Sequence, residues 1–274
     1  MNSQRPTELA TGTQLLDRAV AVIKLLGEVG EKGARMAEIA EGLGLKTSTA
    51  HRIVSALERH GLIERELATK RYRLGLALFS LGAAAADGTG LRKVSRPALL
   101  RLAASTGDTV FLMARSGFNV VCVDRQEGSY VLDSLTGHVG GQIPMGVGPA
   151  SQAILAFLPA EEAEIIISAN APLYGRYNSL SADAVRERLP QIRAKRFALD
   201  HGELVKGISA LALPILPQGR DAIASIAINM TSARLEPDRL TELVELLQAE
   251  VSEIEQTINP LERSGSGTRR AGNE

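Results

Sequence analysis

Residues 21–75 read AVIKLLGEVGEKGARMAEIAEGLGLKTSTAHRIVSALERHGLIERELATKRYRLG, and this stretch decides the fold of the N-terminal part of the chain. Apolar residues recur in it every three or four positions, a spacing that places them on one face of a helix. The pattern predicts three helices, which begin near Thr13, Met36 and Thr47, with Thr47 as the N-cap of the third. Two short apolar segments around the polar stretch 64–71 then predict a two-stranded hairpin with a charged tip.

Three helices followed by a hairpin indicate a winged helix-turn-helix, and the short glycine-containing turn 44–46 suits that motif. The apolar positions of the third helix leave hydroxyls, a histidine and two arginines on its outward face: Thr47, Ser48, His51, Arg52, Ser55 and Arg59. Such side chains contact phosphates and base edges in the major groove of DNA. The basic residues Lys70, Arg71 and Arg73 of the hairpin favour DNA binding over the alternative, a winged helix that binds protein.

Charge and composition agree with a nucleic-acid-binding N-terminal part. Residues 1–75 carry 12 Lys and Arg against 9 Asp and Glu, whereas the remainder carries 19 against 22. The chain has no Trp and few Phe and Tyr, so it lacks the aromatic side chains on which RNA and single strands stack. With one cysteine, no signal peptide and no apolar stretch of membrane-spanning length, we expect a soluble cytoplasmic protein without membrane contact.

The rest of the chain predicts an α+β domain. The small-residue run 75–86 predicts a connecting helix, beyond which helical and β-branched patterns follow one another. Helices are predicted at 91–105, 151–158, 161–170, 182–196 and 238–258, and strands at 109–115, 119–125, 130–135, 208–216 and 222–229. Short turns separate the first three strands, so the sheet is expected to be antiparallel.

Several motifs resemble the IclR-type bacterial transcriptional regulators. The third helix begins in the family's pattern S-T-x-H-R, and four segments resemble its linker helix and effector domain: LGLALFSLG, GHVGGQIPMGVGPASQAILAFLP, FALDHGELVKGISALALPI and AIASIAINMTSARL. The resemblance implies a winged helix-turn-helix at 13–75, a linker helix at 76–90, a GAF-like effector-binding domain with an antiparallel sheet at 91–260, and a flexible tail at 261–274. It also implies the contacts to DNA, which we expect from Thr47, Ser48, Thr49, His51, Arg52, Lys70 and Arg71.

The family's effector pocket is carried over position by position onto Leu135, Ile143, Pro149, Ala150, Asp200, Ala210, Ala227 and Asn229. Three departures from the family pattern bear on the ligand. The family often has Cys where Ala210 stands, Ser where Ala227 and Asn229 stand, and Gly-Lys in place of residues 151–152. Because the pocket has fewer polar anchors, we expect an effector that is bulkier or less polar than glyoxylate-like acids.

The glycine-rich loop 146–151 leads into a predicted helix, whose free N–H groups and positive dipole end suit a carboxylate. The same loop fails as a dinucleotide fingerprint, because Ser151 replaces the third glycine and no βαβ unit follows. The alternative is a tight turn that binds no ligand. We expect the acid group of the effector to lie at this helix N-terminus, with Asn229 as a neutral hydrogen-bond partner.

Enzymatic interpretations have little support in the sequence. Cys122, with Asp124 and His138, resembles a nucleophile group only in composition, since its β-branched neighbours predict a buried, inert thiol. His201 and Glu203 lack a third zinc ligand. We therefore expect no metal and no cofactor.

Together these patterns predict a DNA-binding transcriptional regulator controlled by a small organic acid. A single winged domain makes few base contacts, so a dimer or a dimer of dimers on a pseudo-palindromic operator is expected. The apolar connecting helix needs a partner surface, which a second chain supplies. The alternative function is an enzyme or sensor of small molecules whose winged domain contacts protein.

Overall fold

The computed structural model describes residues 13–88, 90–132, 135, 138–217 and 221–258. The chain divides into two units, residues 1–85 and 86–274. The polar N-terminus at 1–12 and the predicted flexible tail at 261–274 lie outside the described residues. None of the helices in the described ranges is long and apolar enough to cross a membrane.

The first unit is a winged helix-turn-helix, as predicted. Its helices are α1 (Gln14–Val29), α2 (Met36–Gly42) and α3 (Thr47–Arg59), followed by the antiparallel strands β1 (Ile63–Arg65) and β2 (Tyr72–Leu74) and by α4 (Leu76–Gly88). The three predicted helices meet in one core, which includes Leu26, Ile39 and Ile53. The apolar residues Leu16 and Val20 near the start of α1 lie outside this core and are exposed. We refer to the segment from β1 to β2 as the wing.

The predicted N-cap of α3 is wrong by one residue. Lys46 has the extended backbone of a cap, and its carbonyl accepts the first helical hydrogen bond from the N–H of Ala50 at 3.0 Å. Thr47 is therefore already the first helical residue, and no side chain caps this helix.

The wing returns to the helices at a close approach between two glycines. A Cβ atom on Gly75 would lie 2.1 Å from the carbonyl oxygen of Gly61, a distance that no side chain tolerates. The N–H of Gly75 donates to the carbonyl of Leu62 at 2.9 Å. Glycine at position 75 thus allows the chain to leave β2 and enter α4 directly.

The second unit is an α+β domain built on one antiparallel sheet of six strands in the order β5-β4-β3-β8-β7-β6. Its strands are β3 (Thr109–Ser116), β4 (Asn119–Gln126), β5 (Gln142–Pro144), β6 (Ala198–Val205), β7 (Ile208–Ile215) and β8 (Ala224–Thr231). Its helices are α5 (Leu91–Thr106), α6 (Gly148–Leu155), α7 (Ala160–Tyr174), α8 (Ala182–Lys195) and α9 (Pro237–Thr257).

Helices cover both faces of this sheet. On one face, residues such as Phe111, Ala212 and Ala227 pack with α6, α7 and α8. On the other face, their strand neighbours such as Leu112 and Leu211 pack with α5 and α9. Because both faces are buried at the centre of the sheet, the central strands β3, β7 and β8 are mostly apolar along their length.

The predicted strand at 130–135 is wrong wherever the structure describes that segment, since residues 130–132 and 135 are not in a strand and residues 133–134 lie outside the described residues. A side chain satisfies this backbone instead of a strand ladder. The hydroxyl of Thr109 donates to the carbonyl of Tyr130 at 3.1 Å and accepts from the N–H of Leu132 at 3.0 Å.

Two strands were missed by the sequence analysis, β5 and β6. β5 has only three residues, and it pairs with β4 at the edge of the sheet. β6 lies at the opposite edge, and its pairing with β7 shifts register between Asp200 and Val205. The polar sequence DHGE within this irregularity hides the alternation that would have revealed the strand.

Candidate functional site

The outward face of α3 is exposed, as the apolar spacing predicts. Thr47, Ser48, His51 and Arg52 are exposed, whereas Thr49 is half-buried. Arg52 makes no hydrogen bond or ion pair within the described part of the chain, so its guanidinium is free to bind a ligand. The hydroxyl of Ser55 lies 3.3 Å from Nδ1 of His51, on the same face one turn along.

The three basic residues of the wing differ in their contacts. Arg71 donates through Nη1 to Glu38 Oε2 at 3.0 Å and to the carbonyl of Gly33 at 2.9 Å. Arg73 forms an ion pair with Glu66 at 3.1 Å. Lys70 is exposed, and its ammonium has no partner among the residues that the structure describes.

The pair of Arg71 and Glu38 joins the wing to the first turn of α2. The N–H of Arg35 donates to Glu38 Oε2 at 2.8 Å, and this bond, followed by the charge of Arg71, lowers the pKa of Glu38. Arg71 was expected to contact DNA, but its guanidinium already makes hydrogen bonds within the protein. No local sequence pattern indicates this pair, because 33 positions separate the two residues.

The eight residues expected to form the effector pocket all line one cavity of about 310 Å³ in the second unit. The cavity lies between the face of the sheet that packs with α6, the first turn of α6 and Leu135. Seven further lining residues were missed: Phe111, Met113, Val147, Gly148, Leu204, Val205 and Ile208. Phe111 and Met113 alternate along β3 with residues of the opposite face, a period that assigns them to this side of the sheet. We refer to this space as the apolar cavity.

A row of cross-strand neighbours forms the polar part of the cavity floor. Asp200 on β6 lies opposite Ala210 on β7, and Ala210 lies opposite Asn229 on β8. Residues that pair in this way point to the same side of a sheet. The methyl group of Ala210 therefore leaves room between a carboxyl group and a carboxamide, so that a small ligand can contact both.

Asp200 is a buried carboxyl group with backbone partners, and it is only 6% exposed. It accepts hydrogen bonds from the N–H groups of Gly202 at 3.2 Å and Leu204 at 3.3 Å. Burial raises the pKa of Asp200, and these two bonds offset part of that effect. No Lys, Arg or His is among the described residues that line the apolar cavity.

The loop before α6 is held rigidly by side chains. The hydroxyl of Ser151 accepts from the N–H of Gly146 at 3.0 Å and donates to the carbonyl of Val147 at 2.7 Å. The amide of Gln152 donates to the carbonyl of Gly146 at 2.9 Å. These bonds hold the loop in one conformation and so fix the orientation of the first turn of α6, which lines the cavity.

The N-terminus of α6 presents free donors to the apolar cavity. The helix begins at Gly148, three residues earlier than predicted, and Pro149 has no N–H. The N–H groups of Gly148 and Ala150 have no acceptor within the described ranges, as is usual in a first helical turn. Both residues line the cavity, so their amides and the positive end of the helix dipole are available to an anion.

The remaining candidates for chemistry do not form a site in the structure. Cys122 is buried in the sheet, and its sulfur lies 3.5 Å from the carbonyl of Asp124. The carboxylate of Asp124 pairs with Arg96 at 3.0 Å. No group of three or more His, Cys, Asp or Glu residues in the described ranges is arranged to bind a metal ion.

A winged helix-turn-helix unit followed by a domain with a ligand-sized cavity defines a class of protein, the ligand-responsive DNA-binding regulators. Two family models match the chain: the IclR helix-turn-helix domain over residues 15–67 and the C-terminal domain of the bacterial transcriptional regulator IclR over residues 83–256. The chain therefore belongs to the IclR family of bacterial transcriptional regulators.

Known relatives and solved structures agree with this assignment. The glycerol operon regulatory protein of Streptomyces griseus is 33% identical over 242 residues, which cover 86% of this chain and 92% of that protein. The crystal structure of an IclR transcriptional regulator from Alicyclobacillus acidocaldarius matches with a TM-score of 0.75 and 26% identity, over 90% of this chain and 99% of that one. Curated relatives are transcriptional regulators and not enzymes, so the alternative enzymatic function is set aside.

A third comparison concerns a structure that contains a ligand. An IclR homologue from Microbacterium hydrocarbonoxydans, complexed with 4-hydroxybenzoate, matches with a TM-score of 0.74 over 89% of this chain and 98% of that one. At 22% identity this likeness shows the shared fold.

Proposed function

We propose that this regulator binds operator DNA through α3 and the wing, and that a small organic acid in the apolar cavity controls that binding. The observation that carries the proposal is the convergence of eight residues on one cavity: Leu135, Ile143, Pro149, Ala150, Asp200, Ala210, Ala227 and Asn229. A mostly apolar cavity with a few converging polar groups is the usual form of a small-molecule site.

The DNA surface is proposed on the exposed N-terminal half of α3. Ser48, His51 and Arg52 would reach base edges, with Thr47 and Thr49 beside them, as a recognition helix does when its N-terminus lies in the major groove. Lys70 would contact phosphate from the wing. Because Arg71 is bonded to Glu38 and Gly33, its proposed share in DNA binding is mainly to fix the wing, with its charge as a second contribution.

The effector is proposed to lie with its acid group near the N–H groups of Gly148 and Ala150. Backbone amides at a helix N-terminus bind carboxylates without a basic side chain, which suits a cavity that has none. Asn229 would donate a hydrogen bond to the same ligand from the floor of the cavity. Asp200, whose pKa is raised by burial, would bond a hydroxyl or other donor of the ligand from the neighbouring strand.

A second copy of the chain is proposed as the partner of the first unit. Large apolar side chains are exposed on two of its helices: Leu15, Leu16 and Val20 on α1, and Leu76, Phe79 and Leu81 on α4. Phe79 is 73% exposed and Leu16 is 65% exposed, values typical of a surface that another chain covers. We propose a homodimer or a dimer of dimers, acting in the cytoplasm where its operator is located.

The test combines DNA selection with ligand screening. Duplexes retained by the full-length protein are selected from a random pool, and their affinity is measured with and without a panel of small aliphatic and aromatic acids. We expect an enriched pseudo-palindromic sequence, and at least one acid that changes its affinity and raises the melting temperature of the protein. Failure to enrich any sequence would contradict the DNA part, and failure of every acid would contradict the effector class.

A further inference from the structure

A second cavity lies beside the apolar one, with a volume of about 150 Å³. Four residues line both spaces, Gly148, Pro149, Asp200 and Leu204, so a wall one residue thick separates them. The other walls come from α8, from the connection between α7 and α8, and from Gln152 of α6 and Glu203 of β6, and they are mainly polar. We refer to this space as the polar cavity.

The wall between the cavities has a gap beside Gly148. A Cβ atom at this position would be 3.4 Å from Cδ2 of Leu204, which is ordinary contact distance, so room for about one methyl group is left between the two residues. The side chain of Leu204 is the main barrier, because Gly148 contributes only backbone. Beside Gly148, the end of the Leu204 side chain is therefore the part of the wall that a ligand would have to displace to reach from the apolar cavity into the polar cavity.

Arg188 is the cation of this arrangement. It projects from α8 and lines the polar cavity, and it is the only Lys, Arg or His among the described residues that line either cavity. Its Nη2 donates to Glu203 Oε2 at 2.7 Å, and no other bond of its guanidinium is seen within the described ranges. An arginine has five N–H donors, so most of its capacity remains for a ligand.

We propose that Arg188 binds the acid group of the effector from the polar cavity, while the apolar body of the effector fills the apolar cavity. This inference rests on the proposed function, and it adds the charge partner that the apolar cavity lacks. A cation beside the buried carboxylate adds to the stabilisation that the backbone amides provide, and the two carboxylate oxygens match the planar fork of a guanidinium. Gly148 and Arg188 both line the polar cavity. A carboxylate bound there is proposed to accept from the N–H of Gly148 with one oxygen and from Arg188 with the other.

The carboxylates around Arg188 are compatible with this exchange. Glu203, the present partner of Arg188, has a side chain that is 66% exposed. Water can therefore solvate Glu203 when the ligand forms hydrogen bonds with the guanidinium. Asp200 lies between the two cavities and would repel a bound acid when charged. Arg188 is the one cation among the described residues that line either cavity, so it is the charge partner available to a bound acid. The effector class that this favours is an aryl or alkyl carboxylic acid rather than its neutral analogue.

The experiment compares acids with their primary amides, which have the same shape without the charge. The pairs are benzoate and benzamide, phenylacetate and phenylacetamide, and hexanoate and hexanamide, titrated calorimetrically into full-length protein. We expect at least one acid to bind the wild type about 10-fold or more tightly than its amide, the effect of a hydrogen bond to a charged group. In Arg188→Met this preference falls to about one while amide binding is unchanged, and Arg188→Lys retains part of it.

Arg186→Met is the matched control. Arg186 is also on α8 and also forms an ion pair with a glutamate, but it lines neither cavity. It should keep the wild-type preference for the acid. An unchanged preference in Arg188→Met overturns the assignment of Arg188 and leaves the proposed function standing. Failure of every acid to bind the wild type, or a preference of the wild type for the amides, overturns the proposed effector class and this inference with it.

Discussion

The hydroxyl of Tyr174 occupies the space in which a side chain of Gly146 would lie. A Cβ atom on Gly146 would be 2.3 Å from Oη of Tyr174, and the φ angle of this glycine is +105°. The same hydroxyl donates to the carbonyl of Met145 at 2.7 Å, and burial raises its pKa to about 12, so it remains a donor at physiological pH. The loop that leads into α6 therefore depends on a glycine and a tyrosine that are distant in sequence.

We predict that Gly146→Ala displaces this loop and weakens both folding and effector binding. The added methyl group collides with a buried ring and forces an alanine into positive φ. The control is Gly140→Ala, where φ is also positive but no atom lies within 4 Å of the added Cβ. Urea denaturation followed by circular dichroism should show Gly146→Ala to be less stable than the control by about 1 to 3 kcal/mol. Equal stabilities would mean that Tyr174 moves aside without cost.

The wing offers a prediction that separates two adjacent basic residues. Lys70→Ala should reduce the slope of log affinity against log salt for a random duplex by about one, because one phosphate contact is lost, and should leave the melting temperature unchanged. Arg71→Ala should lower the melting temperature of the first unit, because it removes the bonds to Glu38 and Gly33. If Lys70→Ala lowered the melting temperature and Arg71→Ala left it unchanged, the two proposed roles would be reversed.

The face of α3 gives a prediction about specificity. Arg52→Ala should weaken binding to the selected operator by about 1 to 3 kcal/mol without altering the melting temperature, because its side chain is exposed and makes no internal bond. Arg59→Ala removes an equal charge from the last turn of the same helix and should have a smaller effect. Equal losses for the two variants would indicate general electrostatic attraction instead of a base contact.

Asp200 predicts a pH dependence whose sign follows from its raised pKa. The folded protein binds this proton more tightly than the unfolded chain does, so the contribution of Asp200 to the unfolding free energy falls as pH rises from 3.8 through the raised pKa. Asp200→Asn can still accept from Gly202 and Leu204, and it carries no charge. Its stability relative to the wild type should therefore increase with pH across that window, measured by urea denaturation. Asp221→Asn controls for the loss of one exposed charge, and a constant difference for Asp200→Asn would contradict the burial effect.

The sequence was sufficient for the parts of the fold that local periodicity determines. The apolar spacing that includes Leu26, Ile39 and Ile53 predicted the three helices of the first unit, because each helix has one buried and one exposed face. The strand β6 escaped prediction because an irregular register at Asp200 breaks the period of two. β6 is a strand because it pairs with β7 in the folded chain, and its own sequence pattern does not indicate this.

The candidate site divides in the same way. The resemblance supplied eight lining residues because they occupy motif positions, and the structure places all eight in one cavity. No sequence pattern predicts the roles of three other residues, Arg188, Leu204 and Glu38. Each of them acts through a contact with a residue that only the folded chain brings close. A charged residue on a helix looks the same in sequence whether it faces water or a cavity.

The effector site itself is tested by filling it. Ala150 lies in the first turn of α6 and lines the apolar cavity, so Ala150→Trp should occupy part of its volume of about 310 Å³ and abolish acid binding. Operator affinity without ligand should remain, because the first unit is unaltered. Asn229→Ala should weaken acid binding by about 1 to 3 kcal/mol if its amide is buried against the ligand.

The acid that stabilises the wild type in the screen is the ligand for both measurements, which are made by calorimetry. Ile165→Trp is the control for a bulky substitution, because Ile165 is exposed on α7 and does not line the cavity. It should bind the acid like the wild type. If both Ala150→Trp and Asn229→Ala bound the acid with unchanged affinity, the effector would lie outside the apolar cavity. An indole ring in that cavity should reduce the affinity of any ligand that binds there.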